Sequence, residues 1–279
     1  MKIGVSAFAW ATEFTSAHLS LLSSIREHGL EGFEIPMFDP ANLDARLIRR
    51  TFEANALECT VCAILPPGIN PISSDESTRR KAHRHLVRCI ETSAEMGAAL
   101  VGGPVYAPIG YLPGRRRDQE EWKWAVDCIQ ELGEVLDRHA ITLSIEPVNR
   151  SETFLIRTAE EAGAFCDAVA HPRVGVTVDT FHANIEEKSI SRSIASLGRR
   201  LKHVHISEND RGIPGAGHID FAAVLAALRE QKYDGYLMIE GFGFSAKEPA
   251  SIGAIWGDPD TSPEDVAFKG ADYLRLLLA

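Results

Sequence analysis

The most constraining feature of the sequence is a regular alternation of short apolar runs with longer segments of helical pattern. Eight runs rich in Val, Ile and Leu are each followed by a segment long enough for a helix. No linker rich in Pro, Gly or Ser interrupts the series. Strands that alternate with helices predict a parallel α/β sheet. Eight such pairs favour a closed (β/α)8 barrel over an open doubly wound sheet, which usually has fewer repeats.

The apolar runs and helical segments define a single domain. The predicted strands are 2–8, 32–37, 57–64, 99–105, 141–147, 174–180, 201–207 and 235–241. The predicted helices are 16–28, 42–54, 76–96, 118–139, 158–170, 188–198, 220–230 and 263–277. A chain of 279 residues is a normal length for one TIM barrel. We therefore expect one barrel domain that spans residues 1–279.

Four successive predicted strands each end in a side chain that can bind a metal. The segment 141–150 reads ITLSIEPVNR, an apolar strand that ends in Glu146. The next three strands end in Asp179, His205 and Glu240. The active site of a (β/α)8 barrel lies at the carboxyl ends of its strands, so these side chains should converge. One such residue alone is more often a solvated rim residue, but four on consecutive strands predict a metal site.

The ligand types indicate which metal is bound. Three carboxylates and one imidazole suit Mn²⁺, Co²⁺ or Mg²⁺. A Zn²⁺ site would more often recruit additional His or Cys side chains. Several polar residues follow the four ligands and are candidates for contacts with a small polar substrate: Asn149, Arg150, Glu152, His182, Glu208 and Arg211.

Four segments around these residues resemble the ketose 3-epimerases of the xylose isomerase-like barrel superfamily. They read EPVNRSE at 146–152, DTFH at 179–182, HISENDRG at 205–212 and IEGF at 239–242. This family comprises the D-tagatose, D-psicose (allulose) and L-ribulose 3-epimerases. The similarity extends through most of the chain and is strongest between residues 141 and 242.

The resemblance implies a role for each residue of the site. It implies that four residues bind the metal, usually Mn²⁺: Glu146, Asp179, His205 and Glu240. It implies that Glu146 and Glu240 also exchange the C3 proton from opposite faces of the substrate. It further implies that Glu152, His182 and Arg211 hold substrate oxygens.

The chemistry of the residues agrees with that resemblance. Epimerisation beside a ketone requires removal of a weakly acidic C–H proton and its return on the other side. Two carboxylates that flank the carbon can act in turn as base and acid. A cation on the C2 carbonyl oxygen would stabilise the resulting cis-enediolate.

Composition and charge limit the partners of the protein. The net charge is −10, with 39 acidic and 29 basic residues, which argues against binding to nucleic-acid phosphates. No apolar run approaches the roughly 20 residues of a membrane span. Five cysteines and a start without a signal-peptide layout favour a reduced, cytoplasmic protein. The expected partner is a small ketose, and the family resemblance implies a homodimer or homotetramer.

Other functions remain open at this point. An isomerase or dehydratase of the same superfamily would act on hydroxypyruvate, an inosose or a sugar phosphate, and Arg115–Arg117 would favour the phosphate. An endonuclease acting at abasic DNA sites would require a basic face and more His ligands. A sugar-binding protein without catalysis would not need both Glu146 and Glu240.

Three segments are hard to assign from sequence. The loop at 106–117, YAPIGYLPGRRR, departs from the best-known family members and puts the substrate length in doubt. Phe8 and Trp10 either form an aromatic wall of the site or pack in the core. Cys59-x-x-Cys62 has the spacing of a redox pair, but it lies within a predicted strand and favours core cysteines.

Overall fold

The computed structural model describes residues 1–242 and 261–279. Within these residues eight parallel strands close into a barrel in chain order, each paired with the next and the last with the first. The predicted (β/α)8 TIM barrel is therefore confirmed. The strands are β1 Lys2–Ser6, β2 Gly32–Met37, β3 Glu58–Ala63, β4 Leu100–Gly103, β5 Thr142–Ile145, β6 Val174–Asp179, β7 Leu201–Ile206 and β8 Tyr236–Ile239.

Helices surround the barrel and bury their apolar faces against the outer faces of the strands. They are α1 Leu21–Glu27, α2 Ala45–Asn55, α3 Glu76–Met96, α4 Gln119–Gln130, α5 Gly133–His139, α6 Ala159–Val169, α7 Thr180–Glu186, α8 Ile190–Leu197, α9 Phe221–Glu230 and α10 Gly270–Leu278. Short 3-10 turns lie at Ala7–Ala9, Ser16–Ser20, Pro40–Asn42 and Gly198–Arg200, and a π-helical turn at Asp265–Lys269 leads into α10. Among the described helices, none is long and apolar enough to cross a membrane.

The predicted single helix at 118–139 is wrong, because the chain forms α4 and α5 there. Gly133 begins the second helix, and His171 packs against it so closely that a Cβ on the glycine would lie 3.0 Å from the imidazole Cδ2. Glycine is a poor helix former, and it admits this close contact. The contact with His171 accounts for glycine at the start of α5, and the helical pattern of the sequence does not reveal it.

Helix α7 was not predicted and changes the setting of one site residue. Asp179 ends β6 and accepts a hydrogen bond from the backbone N–H of Phe181 at 2.7 Å, so it is also the N-cap of α7. His182 consequently lies in the first turn of a helix rather than on an irregular loop. The same carboxylate thus ends a strand, begins a helix and faces the site.

A layer of buried polar side chains lies inside the barrel, and on β5, β6 and β7 it lies two residues before Glu146, Asp179 and His205. Side chains alternate along a strand, so these residues share a face with the site residues above them. Thr177 donates to Ser144 at 2.7 Å within this layer. Met238, two residues before Glu240, also fills the barrel, and a Cβ on Gly4 would lie 2.8 Å from the methionine Cε. The polar residues of the layer are Glu34, Thr60, Ser144, Thr177 and His203.

Candidate active site

The four strand-end residues converge at the carboxyl end of the barrel. One potential ligand atom from each lies within 4.8 Å of those of the other three. All four side chains are buried, with exposed fractions of 3% or less. The barrel thus brings together residues that are up to 94 positions apart in sequence, from 146 to 240. They are Glu146, Asp179, His205 and Glu240.

The ring of His205 lies between carboxylates and lacks a well-aligned hydrogen-bond partner. Its Nδ1 is 3.3 Å from Glu146 Oε1 and 3.5 Å from Glu240 Oε1, yet neither ring nitrogen makes a hydrogen bond of good geometry within the described residues. Buried polar atoms are rarely left without a partner. A cation with bonds of about 2.1 Å spaces its ligand atoms at up to about 4.2 Å, so only a small contraction of the cluster is needed.

The electrostatics of the cluster also fit a divalent cation. Burial, together with nearby Asp179 and Glu146, raises the pKa of Glu240 well above its ordinary range, although His205 and Arg211 oppose the shift. Burial alone would also raise the pKa of Asp179, but the adjacent Arg211 guanidinium lowers it well below its usual range. The carboxylates of the pocket therefore carry more negative charge than Arg211 and His205 offset.

Arg211 binds two of the four site carboxylates. Its Nη1 donates to Asp179 Oδ2 and to Glu240 Oε2, each at 2.7 Å. The guanidinium lies over the rings of Phe181 and Phe242, at 3.9 and 4.7 Å from their centroids. Because the arginine uses Oε2 of Glu240, the other oxygen of that carboxylate remains directed towards His205.

The loop that carries Arg211 is organised by Glu208. This fully buried carboxylate accepts hydrogen bonds from the backbone N–H groups of Asn209, Gly215 and Ile219, at 2.9 to 3.1 Å. Arg211 itself has a left-handed backbone conformation with φ of 61°. Glu208 was a candidate for substrate contact, but its oxygens are used to shape the loop instead.

A second hydrogen-bond network fixes the tautomer of His182. The backbone N–H of Asn149 donates to His182 Nδ1 at 3.2 Å, so this nitrogen is an acceptor and a neutral ring carries its proton on Nε2. The Asn149 side chain lies 3.0 Å from the same nitrogen and donates to Glu152 at 2.7 Å. His182 Nε2 lies 3.2 Å from Arg211 Nη2. The two nitrogens are close enough for one substrate oxygen, placed beside the pair, to accept a hydrogen bond from both.

A cavity of about 470 Å³ opens above the cluster. Its polar side includes Glu146, Glu240 and the three predicted substrate contacts, Glu152, His182 and Arg211. This volume is typical of sites for small molecules. The apolar part of its lining includes Phe8, Phe38, Ile64, Leu65, Pro66 and Phe242.

The two aromatic residues after β1, Phe8 and Trp10, have different surroundings. Phe8 lines the cavity and stacks on Phe242, with ring centroids 4.6 Å apart. Trp10 instead packs near Phe33 and donates its indole N–H to Glu264 at 2.8 Å. Only the first of the two rings therefore faces the site.

The loop at 106–117 contributes apolar rather than cationic surface to the cavity. Ile109 and Gly110 line the cavity, whereas Arg115–Arg117 line a separate cleft. Arg115 forms a bidentate ion pair with Glu121, with hydrogen bonds of 2.7 and 2.9 Å. Among the described residues of the cavity wall, Arg211 is the one arginine, so the three loop arginines do not support a phosphate site there.

Sequence reasoning missed Glu34, a fully buried carboxylate in the middle of β2. Its Oε2 lies 3.0 Å from His203 Nε2 and accepts from Thr60 at 3.1 Å, while its Oε1 lies 3.1 Å from His205 Nε2. Burial alone would raise the pKa of Glu34, but the two histidines lower it well below its usual range. The sequence did contain a signal for this residue, because a carboxylate within the apolar run GFEIPM needs buried partners.

The Cys59-x-x-Cys62 pair consists of separate core cysteines. Both thiols are buried and free, as are the remaining three cysteines of the sequence. The two occupy β3 three residues apart, so alternation points them to opposite faces of the strand. Cys62 lines the cavity, and burial with the nearby carboxylates raises the pKa of its thiol well above the usual range.

Comparison with known proteins relates the whole chain to a set of sugar epimerases. The profile of the xylose isomerase-like TIM barrel family matches residues 22–276. The chain is 30% identical over 283 residues to the ketose 3-epimerase of Arthrobacter globiformis, which covers 99% of this chain and 96% of that protein. It is 29% identical over 275 residues to a probable ketose 3-epimerase of Synechocystis sp., with the same coverage. The crystal structure of D-allulose 3-epimerase from Methylomonas sp. superposes with a TM-score of 0.94 at 27% identity, covering 99% of this chain and 98% of that one.

Proposed function

The chain belongs to the xylose isomerase-like TIM barrel family and, within it, to the ketose 3-epimerases, and we propose that it interconverts the C3 epimers of a free ketose with a divalent cation as cofactor. The substrate pair we propose is D-psicose and D-fructose, D-tagatose and D-sorbose, or L-ribulose and its C3 epimer. The reaction proceeds through a cis-enediolate.

The observation that carries this proposal is the convergence of two carboxylates, from two different strands, on one ring nitrogen. Glu146 follows β5 and Glu240 follows β8, and both lie within 3.5 Å of His205 Nδ1. A substrate carbon placed between them presents one face to each carboxylate. One carboxylate then removes the C3 proton and the other returns a proton to the opposite face.

The residues that would hold the cation are Glu146, Asp179, His205 and Glu240. We propose Mn²⁺, with Co²⁺ or Mg²⁺ as alternatives, because carboxylates with one imidazole suit these ions. When bound, such a cation withdraws electron density from the C2 carbonyl and stabilises the charge that develops on proton removal.

The remaining cavity residues orient the sugar. His182 Nε2–H and Arg211 Nη2 are two convergent donors that can hold one substrate oxygen, and Glu152 lines the same side of the cavity and can accept from a hydroxyl. Burial of these groups excludes water and strengthens their hydrogen bonds to the substrate. The sugar-phosphate alternative lacks support from this cavity, because Arg115–Arg117 lie in another cleft.

Incubation of the metal-loaded protein with a panel of free ketoses in D₂O tests the proposal. At least one ketose should be converted to its C3 epimer, and the product should carry deuterium at C3 because the proton passes through a carboxylate that exchanges with solvent. Products are separated by chromatography and the label is located by NMR. Conversion without label at C3 would contradict proton exchange, and no conversion of any ketose would contradict the function.

Arg211→Ala is expected to weaken substrate binding far more than metal binding. Loss of charge-assisted hydrogen bonds of about 1.5–3 kcal/mol predicts a rise of about 10- to 100-fold in KM. Metal content should change little, because the arginine is not one of the four proposed ligands. It holds one oxygen each of Asp179 and Glu240, and Oε1 of Glu240 still faces His205 without it. Steady-state kinetics and elemental analysis measure the two effects separately.

Arg150→Ala is the matched control for that variant. Arg150 lies on the same rim but is largely exposed, and it pairs with Glu186 at 2.8 Å rather than with the four strand-end residues. Its loss should leave KM close to the wild-type value. If Arg211→Ala lost the metal with no separate effect on KM, the arginine would stabilise the metal site rather than the substrate.

A further inference from the structure

The buried carboxylate Glu34 lies on the far side of His205 from the cavity. It belongs to β2, whereas the four strand-end residues lie on or directly after β5 to β8. Resting on the metal-dependent function proposed above, we propose that Glu34 is a positioning residue, which holds His205 in the one tautomer and orientation that present Nδ1 to the cation.

The contacts of Glu34 leave one oxygen for this purpose. Its Oε2 is occupied by His203 Nε2 at 3.0 Å and by the Thr60 hydroxyl at 3.1 Å. Its Oε1 has no hydrogen-bond partner of good geometry among the described residues, and neither does His205 Nε2, which lies 3.1 Å away. Two buried polar atoms that lack other partners therefore face each other at hydrogen-bonding distance.

The number of protons on the ring makes this pairing specific. A neutral imidazole carries one ring proton, and the nitrogen that binds a metal cannot carry it. His205 Nδ1 faces Glu146 and Glu240, so the proton belongs on Nε2, and Glu34 Oε1 lies 3.1 Å from that nitrogen, close enough to accept it. A histidine ligand that donates its second N–H to a carboxylate has a fixed ring orientation and a more basic metal-binding nitrogen.

The same atoms do not form a second cation site. Glu34, His203 and His205 offer atoms close enough to surround an ion. However, an ion there would need the Nε2 lone pair of His205 while the first cation uses Nδ1, which would strip the ring of both protons. His203 Nε2 is already directed at Glu34 Oε2, at 3.0 Å. The geometry favours a hydrogen-bonded support over an additional metal.

Titration of the metal-free protein with Mn²⁺ tests the role of Glu34. Glu34→Gln keeps the size of the side chain but removes its charge and replaces one acceptor with a donor. We expect its Mn²⁺ dissociation constant to rise about 10- to 100-fold, the usual effect of losing such a support. Thr177→Val is the matched control, because it removes a hydrogen bond to Ser144 in the same buried layer without touching Glu34. It should bind Mn²⁺ like the wild type.

Histidine NMR supplies a readout that general destabilisation would not move. The chain has ten histidines, so selective ¹⁵N labelling gives a simple spectrum. With diamagnetic Mg²⁺ or Zn²⁺ bound, His205 should show a metal-bound Nδ1 and a protonated Nε2 protected from exchange. Glu34→Gln should lose that protection. The wild-type spectrum alone decides the matter if the variant fails to fold, because metal on Nε2 would overturn the proposal.

The outcomes separate this inference from the function on which it rests. If the wild type binds Mn²⁺ and Glu34→Gln binds it equally well, Glu34 is not a positioning residue, although the epimerase proposal stands. If Thr177→Val weakens binding as much as Glu34→Gln, the effect is general to the buried layer and the inference fails. If the wild type binds no divalent cation, both proposals are overturned.

Discussion

Glu146→Gln and Glu240→Gln are each expected to lose interconversion of the ketose epimers by about 10²- to 10⁴-fold, the usual contribution of a general acid or base. Each substitution preserves the size and one potential ligand oxygen of the side chain but removes the proton-transfer group. The two residues come from different strands, after β5 and β8, and in the proposed mechanism each serves one face of C3, so we expect that neither replaces the other. Initial rates with the preferred ketose, in both directions, measure the loss.

Isotope exchange should distinguish the two variants from each other. The carboxylate that remains in each variant can still remove the proton of the epimer that faces it and return a proton to the same side. In D₂O, one variant should therefore label one C3 epimer and the other variant the opposite epimer, with little net conversion. If both variants labelled the same epimer, a single carboxylate would perform all proton transfer and the two-base scheme would be wrong.

Glu186→Gln provides the matched control for these substitutions. Its carboxylate side chain is 2% exposed and lies at the end of α7, where it pairs with Arg150 and does not line the cavity. Conversion of this buried carboxylate to an amide tests whether any such change on the rim impairs catalysis. The rate of epimerisation should stay near the wild-type value.

Removal of the divalent cation is expected to abolish activity, and Mn²⁺ or Co²⁺ should restore it. Three clustered carboxylates repel one another without a cation, and the pKa of Glu240 is already raised well above its usual range. The cation should also raise the melting temperature, because a ligand at about 100 times its Kd stabilises the folded state by about 2.7 kcal/mol. Activity and thermal unfolding after chelation, with metal content measured on the same sample, check both effects.

A pair of aspartate substitutions tests whether the stabilisation by Mn²⁺ arises at the proposed metal site. Asp179→Asn should lose most of the stabilisation by Mn²⁺, because it removes one of the four converging ligands. Asp167→Asn should retain it, because this aspartate lies on α6 and pairs with Arg200 at the surface, at 2.7 Å. Full activity in a demonstrably metal-free sample would contradict the metal-dependent mechanism.

The architecture and the four strand-end residues were predictable from the sequence for one physical reason. Both depend on local periodicity: eight apolar runs define the strands, and a strand end places its last side chain at the rim. Once the barrel is inferred, the convergence of Glu146, Asp179, His205 and Glu240 follows without knowledge of any distance. Asp118 and Thr158 cap α4 and α6 with their side chains, a contact that depends on neighbours in the chain rather than on tertiary structure.

The roles of individual polar residues were decided only by tertiary structure. The sequence suggested Glu208 as a candidate for substrate contact. In the structure, its carboxylate instead accepts hydrogen bonds from three backbone N–H groups of its own loop. Arg115–Arg117 suggested a phosphate site, but they lie in a cleft apart from the cavity. Hydrogen-bond partners of this kind depend on how a loop closes, and loop closure leaves little periodic signal in the sequence.

Glu34 shows most clearly what the sequence determines by itself and what only the tertiary structure decides. The sequence alone determined that a carboxylate within an apolar strand must find buried partners, because burying it unpaired is costly. It did not determine which partners, since His203 and His205 are 169 and 171 positions away and reach Glu34 only across the closed barrel. Barrel closure sets that contact through the tilt and register of all eight strands together, a collective property that no local pattern encodes.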